Sequence, residues 1–418
     1  MNQFGNVLLI AMPGFFVLIM FEMFWGRWKH NEQQPLIDAV ASVACGFTNI
    51  LKATLGLTIV IFSYAWMESH LHIIQLSASS VWTYIITFVA LDFIGYWMHR
   101  LSHRVNFFWG HHVVHHSSEE FNLPCALRQG ITMITNLTTL AIFPLALMGI
   151  PPQVLGIVGP VHLFSQFWYH TRYIGRLGVL EYIFVTPSAH RVHHAMNDMY
   201  MDKNYSAIFI IWDRMFGTYQ SELSTEPCVY GMRRPAQSWN PIVINFKHWY
   251  TLAKDAFYTQ KWSDKVKLWF MPTGWRPADV SEQYPLFTIQ TMNDLQKYNP
   301  GYSKWFVRYS FMHIHIVFLL VCFLFFRFGE ITKADALLNG IMLLLAVFGF
   351  TAMLDKKHYG FMGMLITSIG IVVFVLVKGD WFGLNSFVPF GSVAVATYFT
   401  LAALIVGWFY KTELVTAE

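Results

Sequence analysis

Six histidines lie in the stretch HRLSHRVNFFWGHHVVHH, from His99 to His116, and three more lie in HRVHH at His190, His193 and His194. His99 and His103 are spaced i, i+4. His112, His115 and His116 are spaced i, i+3, i+4, a pattern that HRVHH repeats. Either spacing puts imidazoles on one face of a helical turn, where two or three can converge on the same ion. These eight residues would supply four nitrogen ligands to each of two metals. Neutral imidazole suits zinc, copper and iron. An all-nitrogen set without thiolate is not a typical structural zinc site, and two adjacent metals in a lipid-facing enzyme point to redox chemistry. His111 falls outside the shared spacing and is read as a neighbour of the site or an interfacial residue. His70, His72, His313, His315 and His358 stand alone and are read as interfacial polar groups.

Carboxylates accompany the histidines. Asp92 precedes His99 by seven residues and shares its helix face two turns deeper, so it is expected to accept a hydrogen bond from a ligand imidazole and fix its tautomer. Glu119 and Glu120 follow the second cluster in HHSSEEFN, where either could relay protons or accept a hydrogen bond outside the ligand set. Asp202, Asn204 and Asp213, in DKNY and WDRMFGT, could orient histidines. His162 sits within an apolar run, as a packed polar group or a pocket residue.

The elements that must position these residues are membrane helices. Of 418 residues 55% are hydrophobic and only 12% charged, which points to an all-α, multi-pass integral membrane protein rather than a soluble one. Segments of roughly 20 apolar residues predict nine spans, near 7–24, 43–67, 80–98, 131–149, 152–169, 311–328, 335–353, 361–377 and 388–410. The second carries Lys52. The first has no basic leader or small-residue cleavage site, which predicts a retained helix. The interval 170–310 is polar enough to lie largely outside the hydrocarbon. Arg27, Lys29, Arg100, Arg104, Arg128, Lys356 and Lys357 then fall on one face, which places the histidines on the cytoplasmic side. A net charge of +4 is what such basic loops give and does not indicate nucleic acid. Cys45, Cys125, Cys228 and Cys322 form neither a disulfide framework nor a thiolate site. The expected division is 1–79, N-terminal helices; 80–250, the histidine-box core; 251–310, a cytoplasmic connecting segment; and 311–418, C-terminal helices.

The boxes HRLSH, HHVVHH and HRVHH, with WDRMFGT, resemble the signature of the fatty acid hydroxylase and sterol desaturase superfamily of membrane di-iron oxygenases. Within it DFIGYWMHRLSH, HHSSEEFNLPCALRQ, QFWYHT, TPSAHRVHH and DKNYSAIFIIWDRMFGTY look like segments of the alkylglycerol monooxygenases, in order, and the likeness is strong over about 80–250. The resemblance implies His99, His103, His112, His115, His116, His190, His193 and His194 as ligands of two Fe ions, with His170 of FWYHT as a ninth. Some members have a further histidine four residues before that one, where this chain has Gln166. Glu119 occupies the position of a glutamate in the alkylglycerol monooxygenase pattern. The activity implied is O2-dependent hydroxylation of the carbon next to the ether bond of a membrane lipid, an alkylglycerol, giving a fatty aldehyde and a glycerol derivative. Tetrahydrobiopterin is the implied electron donor. Trp239, Trp249, Tyr250, Trp262 and Trp275 could stack on its ring or anchor the chain at the bilayer interface. Alternatives are a fatty-acyl or sterol hydroxylase or desaturase fed by an electron-donor protein and, more distantly, a metal transporter.

Overall fold

Helix α4, Val81–Arg104, buries Thr83, Thr87, Asp92 and Tyr96 and turns Val81, Trp82, Ile85, Ile86, Val89, Phe93 and Trp97 outward. Polar inside and apolar outside is the pattern of a helix whose solvent is lipid. The computed structural model describes residues 2–32, 34–56, 63–132 and 138–414. Among these the chain is helical, with three isolated β-bridges and no β-strand.

The helices that build the molecule are α1, Asn2–Lys29; α2, Leu36–Thr54; α3, Tyr64–Leu71; α4; α5, Asn106–His112; α6, Pro152–Phe164; α7, Pro187–His194; and α8, Pro241–Tyr258. They are followed by α9, Lys304–Arg327; α10, Lys333–Leu354; α11, His358–Lys378; and α12, Gly391–Phe409. Among the described residues five helices are long and apolar enough to cross a bilayer: α4, α9, α10, α11 and the segment Gly391–Thr412 that contains α12.

Of the spans expected in the N-terminal half, three are not seen as single membrane-length helices among the described residues. The span expected over 43–67 is not one helix: α2 ends at Thr54, Gly56 adopts φ +64°, and α3 starts afresh at Tyr64. Residues 57–62, in the middle of that expected span, lie outside the described residues. The span expected over 131–149 is represented by two short pieces, Thr138–Ala141 and Phe143–Leu147, with 133–137 outside the described residues. The span expected over 152–169 stops at Phe164 after 13 residues, about 20 Å of helix, too short to cross alone. Hydropathy counts apolar side chains and does not register where the backbone turns.

The C-terminal helices form the largest core, in which α10 and α11 approach closely at small residues. A Cβ on Gly349 would lie 2.7 Å from the Met364 nitrogen, and one on Gly360 2.5 Å from that of Met353. Dispersion at such close backbone approach holds membrane helices together, because lipid offers no hydrophobic drive between them. The turn after α10 reaches the polar segment: Asp355 accepts the Trp239 amide at 2.6 Å and the hydroxyl of Ser238. The C-terminal end of α1 does the same through Glu32, which accepts from Arg172 at 2.6 Å. These ends, the foot of α4 and the segment 170–300 thus meet at one level of the molecule.

Candidate metal centre

Nine histidines converge in two adjoining groups, with one ligand atom from each within 4.8 Å of the others in its group. The first comprises His99, His103, His112, His116 and His193, and the second His115, His170, His190 and His194. The last two turns of α4 supply His99 and His103. Helix α5 and the turn His115–Ser117 supply His112, His115 and His116. A loop after α6 supplies His170, and α7 supplies the other three. Helix α7 is buried throughout and is capped by Thr186, whose hydroxyl accepts the Ala189 amide at 3.4 Å. Its Arg191 grips both oxygens of Glu222, at 2.9 and 2.7 Å, and the carbonyl of Thr171 beside His170 at 3.1 Å.

The grouping is five and four rather than four and four, and each HX2HH box is divided between the groups. Neighbours on a helical turn diverge by about 100°, so His115 and His116 point to different groups, as do His193 and His194. The i, i+4 pairs His99/His103, His112/His116 and His190/His194 each stay together. The rings of His116 and His194 stack 4.4 Å apart across the boundary between the groups, which His112–His115 and His190–His193 also cross.

Backbone carbonyls set the tautomers. Nδ1 of His99 donates to Tyr205 O at 2.6 Å, that of His115 to Arg128 O at 3.3 Å, that of His170 to Gln166 O at 3.0 Å, and that of His193 to Lys203 O at 3.0 Å. A carbonyl cannot donate, so the proton is on Nδ1 and the lone pair of Nε2 points into the group. Nε2 of His115 and Nε2 of His170 face each other at 3.4 Å with both their Nδ1 atoms so committed. Two opposed lone pairs repel unless a cation lies between them. Nε2 of His103 and of His193, in the other group, are buried with no hydrogen-bond partner. Converging nitrogen lone pairs in two such groups fit a metal ion in each.

Burial, aided by the charges of neighbouring imidazoles, holds His112, His115, His116, His190, His193 and His194 well below the ordinary histidine range. Burial likewise pushes His170 down to about 4. The rings are therefore neutral at physiological pH, the form that binds a metal.

The expectation for Asp92 is corrected. It is fully buried, but its oxygens accept from Nε2 of His162 at 2.9 Å, the amides of Ile208 and Phe209 at 2.8 and 3.0 Å, and Trp212 Nε1 at 2.9 Å, and from no imidazole of either group. Seven residues of helix separate it from His99 by about 10 Å, which is beyond hydrogen-bond reach. It reaches the site through His162 and Gln166, whose side chain contacts His162 Nδ1 at 3.3 Å and whose carbonyl holds His170. His162 is thus a polar group packed onto Asp92.

Glu119 also bonds no imidazole. It is buried, which raises its carboxyl above the usual range, and it accepts the Tyr298 amide at 2.7 Å. Glu120 pairs with Arg172 at 2.5 Å and with Lys297. Both glutamates tie the connecting segment to the site. Asp213 accepts the amides of Tyr205 and Ser206, each at 2.8 Å, and so fixes the loop that holds His99. Asn204 bridges the Ala189 and Gln220 carbonyls, and Asp202 pairs with Arg104 at 2.8 Å. His111 lies outside both groups, with Nδ1 3.0 Å from Thr132 Oγ1.

Arg128, in the sequence a basic loop residue, is buried and pairs with buried Asp38 at 2.8 Å while donating to Ser117 at 2.8 Å, so α2 buttresses the turn carrying His115 and His116. Nothing in the spacing of Asp38 and Arg128, 90 residues apart, links them in the sequence. A cavity of about 550 Å³ opens onto His103, His116, His193 and His194, within the size range of sites for small amphiphiles.

A model of the fatty acid hydroxylase family matches residues 84–218, the stretch that supplies all nine histidines. An alkylglycerol monooxygenase of Xenopus tropicalis is 33% identical over 345 residues, covering 82% of this chain and 76% of its own length. The chain belongs to the alkylglycerol monooxygenase family. The alkylglycerol monooxygenase of Homo sapiens is 37% identical over 66% of this chain and 63% of its own length. An ornithine lipid hydroxylase of Rhizobium tropici is 32% identical over 33% of this chain and 41% of its own length. No solved structure matches the chain.

Proposed function

We propose that the two histidine groups hold two iron ions and that the protein is a membrane monooxygenase that hydroxylates alkylglycerols at the carbon next to the ether oxygen. The observation that carries the proposal is the double group of nine converging imidazoles, of which His103, His116, His193 and His194 line one cavity of about 550 Å³. In this reading His99, His103, His112, His116 and His193 serve one ion and His115, His170, His190 and His194 the other. Ferrous ions there would supply what side chains lack, the reduction of dioxygen and the insertion of one oxygen atom into an unactivated C–H bond. Two electrons from a donor, tetrahydrobiopterin by family likeness, with two protons, would reduce the second oxygen atom to water. The hydroxylated carbon is a hemiacetal, which breaks its bond to the ether oxygen to leave a fatty aldehyde and glycerol.

The protein's own part is positional. The carbonyls of Tyr205, Arg128, Gln166 and Lys203 keep Nε2 available, and the polar segment covers the groups on the side we assign to the cytoplasm. Apolar Val113, Met196 and Ile244 in the cavity wall suit the alkyl chain and exclude water. Reconstituted protein is to be given an alkylglycerol, tetrahydrobiopterin and isotopically labelled dioxygen. Label is expected in the aldehyde, before exchange with water. Cleavage without label, or simple desaturation, contradicts the proposal and favours another lipid oxidation of the superfamily.

A further inference from the structure

The cavity beside the histidines carries five cationic side chains, Arg104, Arg233, Arg234, Lys247 and Arg276, but only two carboxylates, Asp202 and Asp255. Three of the cations are neutralised. Arg104 pairs with Asp202 at 2.8 Å, Arg276 with both oxygens of Asp255 at 2.6 and 2.8 Å, and Arg233 with Asp198 beyond the wall. Arg234 donates only to the Gly274 carbonyl at 3.1 Å, and Lys247 to the carbonyls of Pro235 and Ala236 at 3.0 and 2.8 Å. Among the described residues neither has a carboxylate within ion-pair reach. Carbonyl dipoles solvate a cation without cancelling it, so the wall keeps an excess of two positive charges.

Burial and the charge of Arg276, partly offset by the more distant Asp255 carboxylate, push Arg234 below its ordinary value, and burial does the same to Lys247. A bound anion would offset that cost. Two further donors in the same wall, Arg233 Nε and the hydroxyl of Thr273, are buried with no partner. Unsatisfied donors beside unneutralised cations suit the several oxygens of a phosphate, whose monoester carries a charge of about −1.5 to −2 and so matches the excess. Val113, Met232, Ile244 and Leu252 line the same space, so the ligand is an amphiphile rather than an ion alone.

We propose that this cavity binds a lipid with a phosphomonoester headgroup through Arg234 and Lys247, beside the histidine groups. The inference deepens the reading of the protein as an ether-lipid monooxygenase and names a preferred substrate class, alkylglycerol phosphates.

The test uses full-length, iron-loaded protein in lipid nanodiscs, with equilibrium binding of radiolabelled alkylglycerol phosphate and turnover of that lipid and of the neutral alkylglycerol of equal chain length. Arg234→Gln and Lys247→Gln are each expected to weaken binding about tenfold and to lower, by a similar factor, the ratio of kcat/KM for the phosphorylated over the neutral lipid. Arg234→Lys is expected to retain part of the affinity. Equal binding and an equal ratio in wild type and variants would overturn the proposal. Displacement of the lipid by inorganic phosphate at similar concentrations would also overturn it, since the site would then serve the free ion. No turnover of either lipid by the wild type, with binding and its dependence on Arg234 intact, would refute the monooxygenase reading and leave this site standing.

Discussion

Nε2 of His115 and Nε2 of His170 meet at 3.4 Å with both Nδ1 protons given to carbonyls, so in the absence of a cation the pair is repulsive. Replacing one ligand therefore removes more than a contact. His99→Ala, His115→Ala and His193→Ala are each expected to lower turnover by more than the roughly 10–100-fold typical of groups that only support a ligand, whereas His111→Ala keeps its metal. Metal analysis of each variant checks this. The same neutrality gives a pH dependence. His170 has a value of about 4 in the fold against the ordinary 6.5, so between these values the unfolded chain takes up a proton that the folded chain refuses. Stability present above the ordinary value is then lost as pH falls, and metal-free protein is expected to unfold at a lower temperature at about pH 5.5 than at about pH 7.5. At this scale the histidines were legible because their spacing is a property of the chain. The acceptors on Tyr205, Arg128, Gln166 and Lys203 were not, since every residue has a carbonyl and only the fold selects which one is used. Asp92 was legible as a buried carboxylate on the His99 face, but its partner His162 comes from another helix.

Helix α2 supports the site from outside through the buried Arg128–Asp38 pair. Arg128→Ala leaves Asp38 buried without its cationic partner, so it is expected to cost about 3–5 kcal/mol, seen as a lower unfolding temperature with loss of metal. The α10–α11 contact provides the opposite case. Gly349→Val puts side-chain atoms where the Met364 backbone lies, and overpacking of this kind costs about 1–3 kcal/mol. Its expected result is a less stable protein with unchanged metal content, because those helices hold none of the nine histidines. A fall in metal content would show that the C-terminal bundle shapes the site. Elements were legible where one apolar run coincides with one helix, as in α4, α9, α10, α11 and α12. They were not legible where Gly56 turns the backbone inside an apolar run, or where α6 stops after 13 residues.

Across the whole molecule, the foot of α4, the end of α1 and the turn after α10 meet the polar segment at one level, and the histidine groups and their cavity lie there. A lipid seated in that cavity can bring its reactive carbon to the histidines. That arrangement has a purpose only if both groups hold a metal. Anaerobic purification followed by metal quantitation tests this most directly. Two irons per chain are expected, one for each group. One iron per chain in active protein, or full activity in protein stripped of iron, would contradict it.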